Sequence, residues 1–144
     1  MDYSVDIEFL SQNWHLILML VIILAMLVLE PYLLKLSGLK MVGPLRVTQL
    51  VNRESAVILD VCTSKEFNAG HIPDAISLPL SDISSAQEKL KKHTDKPLII
   101  SCRSGSRAKG AAKKLAKLGF KDIYILSGGN MAWKKENLPM SQAA

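Results

Sequence analysis

The pattern with the clearest chemistry is a single cysteine, Cys102, followed by a short loop of small residues with an arginine at each end. The loop residues are Arg103, Ser104, Gly105, Ser106 and Arg107. Backbone N–H groups of such a loop converge on one point and stabilise an anion there, so the sequence predicts that Cys102 is a reactive thiolate. Because guanidinium groups match oxyanions, we predict that Arg103 and Arg107 bind an anionic substrate.

The elements that position this loop can be predicted from residue spacing. The apolar run Leu98–Ser101 predicts a buried strand that ends at the cysteine. Residues 106–118 predict the following helix, because apolar residues recur there at intervals of three and four, and Gly119 would end it. Ligands of parallel sheets bind at the carboxyl ends of strands, which is where Cys102 would lie.

A second pair of polar groups comes at the end of another apolar run, Ala56–Val61. Asp60 lies near the end of this predicted strand and Cys62 follows it, so both would end beside Cys102. We expect Asp60 to order the strand end. Two interpretations of Cys62 stay open, a second reactive thiol and a small buried hydrophobe. Burial away from a cation raises the pKa of a thiol, which favours the second interpretation.

Strands and helices alternate along the rest of the chain, which predicts an α/β fold with a parallel sheet flanked by helices. The residues Thr63–Glu66 form a capping box and predict a short helix. Thr48 would cap another helix, and residues 84–93 predict a further one. Residues 123–126 predict the last strand.

The N-terminal part of the chain differs in composition. The sequence has 144 residues, 49% of them hydrophobic, and Trp14–Leu34 is apolar except for His15 near its start and Glu30–Pro31 near its end. A helix of this length spans about 30 Å, the thickness of a bilayer's hydrocarbon core, so the segment predicts an uncleaved transmembrane helix. A secretory signal is disfavoured because the first residues are acidic rather than basic. A buried helix is disfavoured because residues 16–29 have no polar face.

Charge is distributed unevenly and predicts the orientation of this helix. All 18 lysines and arginines follow residue 34, whereas four of the 13 acids lie in the first 30 residues. Basic residues directly after the span predict a single-pass protein of the inner or plasma membrane, with its domain in the cytoplasm. The basic domain would be attracted to an anionic leaflet. Few aromatic residues are present to stack on bases, which disfavours nucleic acid as a partner.

Four motifs, in order, make the chain similar to the rhodanese-like sulfurtransferases. They are Asp60–Phe67, Gly70–Ala75, Cys102–Arg107, and Gly128–Trp133 with Leu138 and Pro139. The resemblance implies a rhodanese fold, a persulfide on Cys102, loop amides from Arg103 to Arg107 that cradle its sulfur, and no metal or organic cofactor. A small sulfur-containing anion such as thiosulfate would donate sulfane sulfur, and cyanide or a thiol would accept it.

One position departs from the family pattern. The family usually has arginine where this sequence has Cys62, so Asp60 would lack a cationic partner. If Cys62 is a reactive thiol, it would resolve a persulfide on Cys102 as a disulfide.

Two alternatives to an enzyme of this kind must be weighed. The first is a membrane-tethered binding or sulfur-relay module that serves another membrane protein without thiosulfate turnover, but the intact Cys102 favours catalysis. The second is a cysteine-type phosphatase or arsenate reductase, whose loops run Cys-x5-Arg. Position 108 is Ala108, and Arg107 gives the shorter Cys-x4-Arg spacing that the resemblance associates with sulfur.

The predicted organisation therefore has five parts. They are a short extracytoplasmic N-terminus (1–13), a transmembrane helix (14–34), a linker (35–44), a rhodanese domain (45–140) and a tail (141–144).

Overall fold

The N-terminal unit of the chain consists of two helices. The computed structural model describes residues 7–36 and 38–142, and the chain divides after Leu36 into two compact units. The first contains α1 (Ile7–Gln12) and α2 (Trp14–Leu36). The segment Trp14–Leu33 has a mean hydropathy of 2.6 and none of its residues is buried, so α2 is long and apolar enough to cross a membrane. Residues 1–6 of the predicted N-terminus and 143–144 of the predicted tail lie outside the described residues.

The second unit is built on a five-stranded parallel sheet with the strand order β1-β5-β4-β2-β3. The strands are β1 (Lys40–Val42), β2 (Val57–Asp60), β3 (Ile76–Ser77), β4 (Leu98–Ser101) and β5 (Ile123–Leu126). The central strand β4 is buried along its whole length, which explains its uninterrupted apolar sequence. Asp60 on β2 pairs with Ser101 on β4, so Cys62 and Cys102 follow their strands at the same edge of the sheet.

Helices connect the strands, and the predicted parallel α/β fold is confirmed. They are α3 (Pro44–Glu54), α4 (Ser64–Ala69), α5 (Ala86–Lys89), α6 (Ser106–Lys117) and α7 (Gly129–Lys135), with short 3-10 helices at Leu80–Ser85 and Lys91–His93. The capping box is present, because the Thr63 hydroxyl accepts from the backbone of Glu66 while the Glu66 carboxylate accepts from the backbone of Thr63. The apolar face of α6 is buried, as its spacing predicted.

Three local predictions differ from the structure. Residues Lys40–Val42, placed in the predicted linker, form the edge strand β1. Thr48 does not cap α3; the helix begins at Pro44, which needs no N–H partner there, and the Thr48 hydroxyl donates to the Pro44 carbonyl. Residues 84–93 belong to three short helical pieces rather than one helix. A serine side chain competes for the backbone at the first junction, where the Ser85 hydroxyl donates to the Asp82 carbonyl.

The core fixes the position of α7 relative to the sheet. The side chain of Trp133 is buried with apolar residues of α3 and of the three central strands, among them Val47, Leu50, Ile58, Ile99 and Leu126. Its indole N–H donates to the Pro139 carbonyl at 2.8 Å. The first turn of α7 is thereby held at the carboxyl end of β4, where the Cys102 loop begins.

Candidate active site

Cys102 lies in the first position after β4, and its side chain is fully buried. Its Sγ accepts a hydrogen bond from the backbone N–H of Gly105, with an N–S distance of 3.0 Å. Gly105 adopts a φ of 99°, a left-handed conformation that favours glycine over residues with a Cβ. The sequence therefore turns sharply enough after Cys102 to bring a loop amide back to the sulfur.

The first turn of α7 supports the other side of this loop. The backbone N–H of Asn130 donates to the Cys102 carbonyl at 2.7 Å, and that of Met131 donates to the Arg103 carbonyl at 3.1 Å. Gly129 makes this approach feasible, because a Cβ at this position would overlap the Cys102 carbonyl oxygen.

A buried chain of hydrogen bonds joins α7 to the ends of β2 and β4. The Ser101 hydroxyl donates to the Asn130 Oδ1 at 2.6 Å, and the Asn130 Nδ2 donates to one Asp60 carboxylate oxygen at 3.0 Å. The other Asp60 oxygen accepts from the backbone N–H of Cys62 at 2.9 Å. The buried Asp60 carboxylate thus accepts hydrogen bonds from two neutral donors, the Asn130 amide and the Cys62 backbone N–H.

Arg107, at the start of α6, is held by a carboxylate from α4. Its two terminal nitrogens donate to the two carboxylate oxygens of Glu66 at 2.8 and 3.0 Å. This pair raises the pKa of Arg107 and lowers the pKa of Glu66 to about 2, with the hydrogen bond from Arg107 as the largest cause of the second shift. The guanidinium also approaches the Cys62 Sγ at 3.9 Å.

A cleft of about 990 Å³ opens beside the loop. Arg103, Ser104 and Cys62 line it near the loop, and Met131 and Met140 line it with α4 and α7. Two further cations, Lys134 and Lys135, lie along its α7 wall. The cleft combines apolar walls with positive charge, a suitable environment for an anion that carries sulfur or a carbon chain.

Comparison with known proteins decides the family. A profile of the rhodanese-like domain matches residues 44–136, more than half of the chain. The chain belongs to the rhodanese-like family.

Relatives support a sulfurtransferase as the general activity of this rhodanese-like domain. The thiosulfate sulfurtransferase GlpE of Pseudoalteromonas translucida is 38% identical over 86 residues, covering 60% of this chain and 80% of the relative. The uncharacterized protein YibN of Escherichia coli is 36% identical over 105 residues, covering 72% of this chain and 73% of the relative. A rhodanese-related protein from Thermoplasma volcanium has a crystal structure with a TM-score of 0.59 and 27% identity, covering 71% of this chain and 97% of that one.

Cys62, the departure from the rhodanese pattern, is buried against Asp60. Burial and the Asp60 carboxylate raise the pKa of Cys62 to about 12. The nearby Arg107 opposes this shift but does not overcome it. The Cys62 thiol is therefore protonated at neutral pH, which supports its interpretation as a small buried side chain rather than a second nucleophile.

The predicted site residues of this rhodanese-like domain differ in their exposure to solvent. Arg103, Ser104 and Ser106 are exposed, Gly105 is buried, and Arg107 is half-buried in its pair with Glu66. The Ser104 and Ser106 hydroxyls lie 3.4 Å apart. At the end of β2 the Asp60 carboxylate accepts a hydrogen bond from the Cys62 N–H.

Sequence reasoning missed three residues of the site, Glu66, Ser101 and Asn130. Sequence reasoning placed Glu66 in a capping box and in the Asp60–Phe67 motif but did not predict that its carboxylate binds Arg107. Asn130 belongs to a recognised motif, but its partners are 29 and 70 residues away. The one available signal was its chemistry, because a buried amide needs both a donor and an acceptor.

Proposed function

We propose that this protein is a sulfurtransferase that carries sulfane sulfur as a persulfide on Cys102. The observation that supports the proposal best is the 3.0 Å hydrogen bond from the Gly105 N–H to the Cys102 Sγ. An N–H group directed at sulfur stabilises the negative charge of a thiolate or a persulfide. The likeness to a thiosulfate sulfurtransferase supports thiosulfate as the class of donor.

The reaction has two halves. The Cys102 thiolate attacks the outer sulfur of thiosulfate; a new S–S bond forms, the old one breaks, and its electron pair leaves with sulfite. The acceptor then attacks the outer sulfur of the persulfide. Cyanide leaves as thiocyanate or a thiolate leaves as a persulfide, and the Cys102 thiolate is regenerated.

The loop residues have separate roles in this proposal. The exposed Arg103 attracts the donor anion at the mouth of the cleft, with Ser104 and Ser106 as hydroxyl donors, while the Gly105 amide faces the sulfur. Arg107 is paired with Glu66, so it contributes less positive charge to the donor anion than the exposed Arg103. Since Cys102 has no exposed surface, the donor reaches the sulfur when the loop shifts outward.

The same burial favours a second candidate function. A sulfur-relay module that receives sulfur only from a docked protein would keep its cysteine covered until docking. Such a module would accept sulfane sulfur on its cysteine from the persulfide of the docked protein. It would show no steady-state turnover of thiosulfate.

The membrane part of the proposal rests on α2. We infer that Trp14–Leu34 anchors the protein in the inner or plasma membrane and that the basic domain lies in the cytoplasm. The full-length chain is expected to resist carbonate extraction of membranes, and a variant without residues 2–36 to be released. Protease added outside intact cells is expected to leave the domain uncut; cleavage within it would reverse the proposed orientation.

The decisive test of the chemistry is intact mass spectrometry of the full-length chain in detergent. Thiosulfate is expected to add about 32 Da, the mass of one sulfur atom, and cyanide to remove it. Cys102→Ser is the control and is expected to gain nothing. A folded and reduced wild type that gains no mass from thiosulfate but gains it from a protein persulfide would favour the relay function.

A further inference from the structure

We propose that Asn130 is a positioning residue of the sulfur-transfer site and that it aims the Cys102 loop. The inference rests on the proposed function. Asn130 uses its backbone N–H and both ends of its side chain in three hydrogen bonds, to the Cys102 carbonyl, to Ser101 and to Asp60. No other part of the proposal assigns a role to this residue.

The neighbours of the Asn130 amide determine which way its side chain faces. A carboxylate only accepts hydrogen bonds, so the Asp60 oxygen must face the Nδ2 of Asn130. The Oδ1 of Asn130 is then left for the Ser101 hydroxyl, which donates at 2.6 Å. The orientation of the side chain is therefore fully determined by its two neighbours, and an isosteric carboxylate or leucine cannot replace it without loss.

The Asn130 side chain links the ends of β2 and β4. Asp60 and Ser101 pair in the register of β2 and β4, and Asn130 reaches both side chains from α7. Through the second oxygen of Asp60 the same chain continues to the backbone N–H of Cys62. The Asn130 side chain thus connects Ser101, directly before Cys102, with Asp60, two residues before Cys62.

The contacts of α7 determine the direction in which the loop N–H groups point. A peptide group is planar and trans, so its carbonyl and its N–H point in opposite directions. The N–H groups of Asn130 and Met131 hold the carbonyls of Cys102 and Arg103 on α7. The N–H groups of Arg103 and Ser104 therefore point away from the two α7 amides that bind these carbonyls, which leaves them available to an anion in the loop.

The consequence is that Asn130, although it lines the cleft, sets the rate of sulfur transfer through the loop, because Asp60 and Ser101 already occupy both ends of its amide. If its side chain is removed, Asp60 and Ser101 each lose a partner, and the backbone of Asn130 is free to move away from the Cys102 carbonyl. A small displacement of the amides then weakens the stabilisation of the developing charge at sulfur, which affects the chemical step more than donor binding.

Two variants separate this role from a purely structural one. Asn130→Ala is expected to slow single-turnover persulfide formation about 10-fold or more, with a KM for thiosulfate within about threefold of the wild type. Asn130→Asp keeps the shape and an acceptor for Ser101 but places a carboxyl against Asp60. Two carboxylates at this distance share a proton, and a protonated carboxyl can donate to Asp60 as the amide did.

The pH dependence of Asn130→Asp is the most specific readout. The ratio of its rate to the wild-type rate is expected to rise as the pH falls from about 8 to about 5, since protonation of the pair restores the lost donor. Other titratable or charged groups near the new carboxyl are Cys62 and Cys102, which follow the two strands, and Glu66, Arg103, Lys134 and Lys135, which line the cleft. These groups are present in both proteins, so the ratio reports what the new carboxyl adds, including its effect on their titration.

Thr48→Val is the matched control, because it removes a part-buried side-chain hydrogen bond of α3, to the Pro44 carbonyl, outside the residues that form the site. It is expected to lower the Tm while the rate of persulfide formation stays within about twofold. All rates are measured on the full-length chain at a temperature where circular dichroism shows each variant folded. A wild type that forms no persulfide overturns the proposed function together with this inference. A wild-type adduct with unchanged rates in both Asn130 variants, or a flat pH ratio, overturns this inference alone.

Discussion

Arg107 and Glu66 form a two-point ion pair in which each terminal guanidinium nitrogen binds one carboxylate oxygen, at 2.8 and 3.0 Å. The two residues come from different helices, α6 and α4. The same Glu66 side chain also accepts from the Thr63 backbone at the start of α4. The cation nearest to Cys62 is therefore neutralised, and Arg103 is the exposed cation of the Cys102 loop.

Glu66→Gln tests this pair at constant shape. Glutamine can still complete the capping box, so the variant removes charge without removing the cap. We expect the free energy of unfolding at pH 7 to fall by about 1 kcal/mol, a small value because both side chains are about one-third exposed. Chemical denaturation measures this change. An unchanged stability would mean that the pair is solvated in solution.

The pH dependence of the same variant has a definite sign. The pKa of Glu66 falls from 4.5 to about 2 on folding, so the stabilisation is complete above 4.5 and is lost as the pH falls toward 2. The stability difference between wild type and Glu66→Gln should therefore shrink between pH 5 and pH 2. A difference that stays constant across this range would contradict the shift.

Cys102 and Cys62 are expected to respond differently to replacement. Cys102→Ser should abolish sulfur transfer, whereas Cys62→Ser should keep most of it, since the Cys62 thiol is protonated at neutral pH. Turnover assays with thiosulfate and cyanide measure both. Alkylation followed by peptide mass spectrometry provides a second readout, in which Cys62 should stay unmodified up to about pH 9. Equal loss of activity in the two variants would make Cys62 a participant in the reaction.

Gly129→Ala tests the close approach of α7 to the Cys102 loop. A Cβ at position 129 would overlap the Cys102 carbonyl, and the residue has a φ of 60°. We expect a loss of about 1–3 kcal/mol in stability and a further loss of sulfur transfer as the loop shifts. Gly110→Ala in α6 is the matched control, because nothing lies within 4 Å of its Cβ. It should be neutral or stabilising by about 0.5–1 kcal/mol; a similar loss in both variants would contradict the argument.

Truncations can establish whether β1 belongs to the folded domain. A fragment that starts at Gly38 keeps Lys40–Val42 and its pairing with β5, whereas one that starts at Pro44 exposes the edge of β5. The longer fragment should have the higher Tm and the lower tendency to aggregate. Differential scanning calorimetry and light scattering compare them. Identical behaviour would show that β1 contributes little to the sheet.

The sequence was most informative where the determinants are local. The strands Leu98–Ser101 and Ile123–Leu126 have the predicted bounds, because fully buried strands are continuous apolar runs between turn residues. The capping box at Thr63 was visible for the same reason, since its two members are three residues apart. The loop after Cys102 was recognisable because its small residues are contiguous.

Long-range partners were not visible in the same way. Arg107 and Glu66 are 41 residues apart, and Asn130 and Asp60 are 70 apart, so no periodicity or spacing rule relates them. The strand β1 was not predicted because it has only three residues, two of them exposed. Such a short edge strand is defined by its pairing with β5, which depends on the completed sheet.

The order in which the chain is synthesised gives the placement of Asn130 a further consequence. Cys102 leaves the ribosome 28 residues before Asn130 and well before Trp133, which fixes α7 in the core. Domains form their native contacts only when the required segments have emerged. Until α7 has emerged, the Cys102 loop lacks the N–H groups that hold its carbonyls. The loop contacts of Cys102 are therefore completed only after α7 has been synthesised, and a nascent or shortened chain that ends before Asn130 carries the cysteine without them.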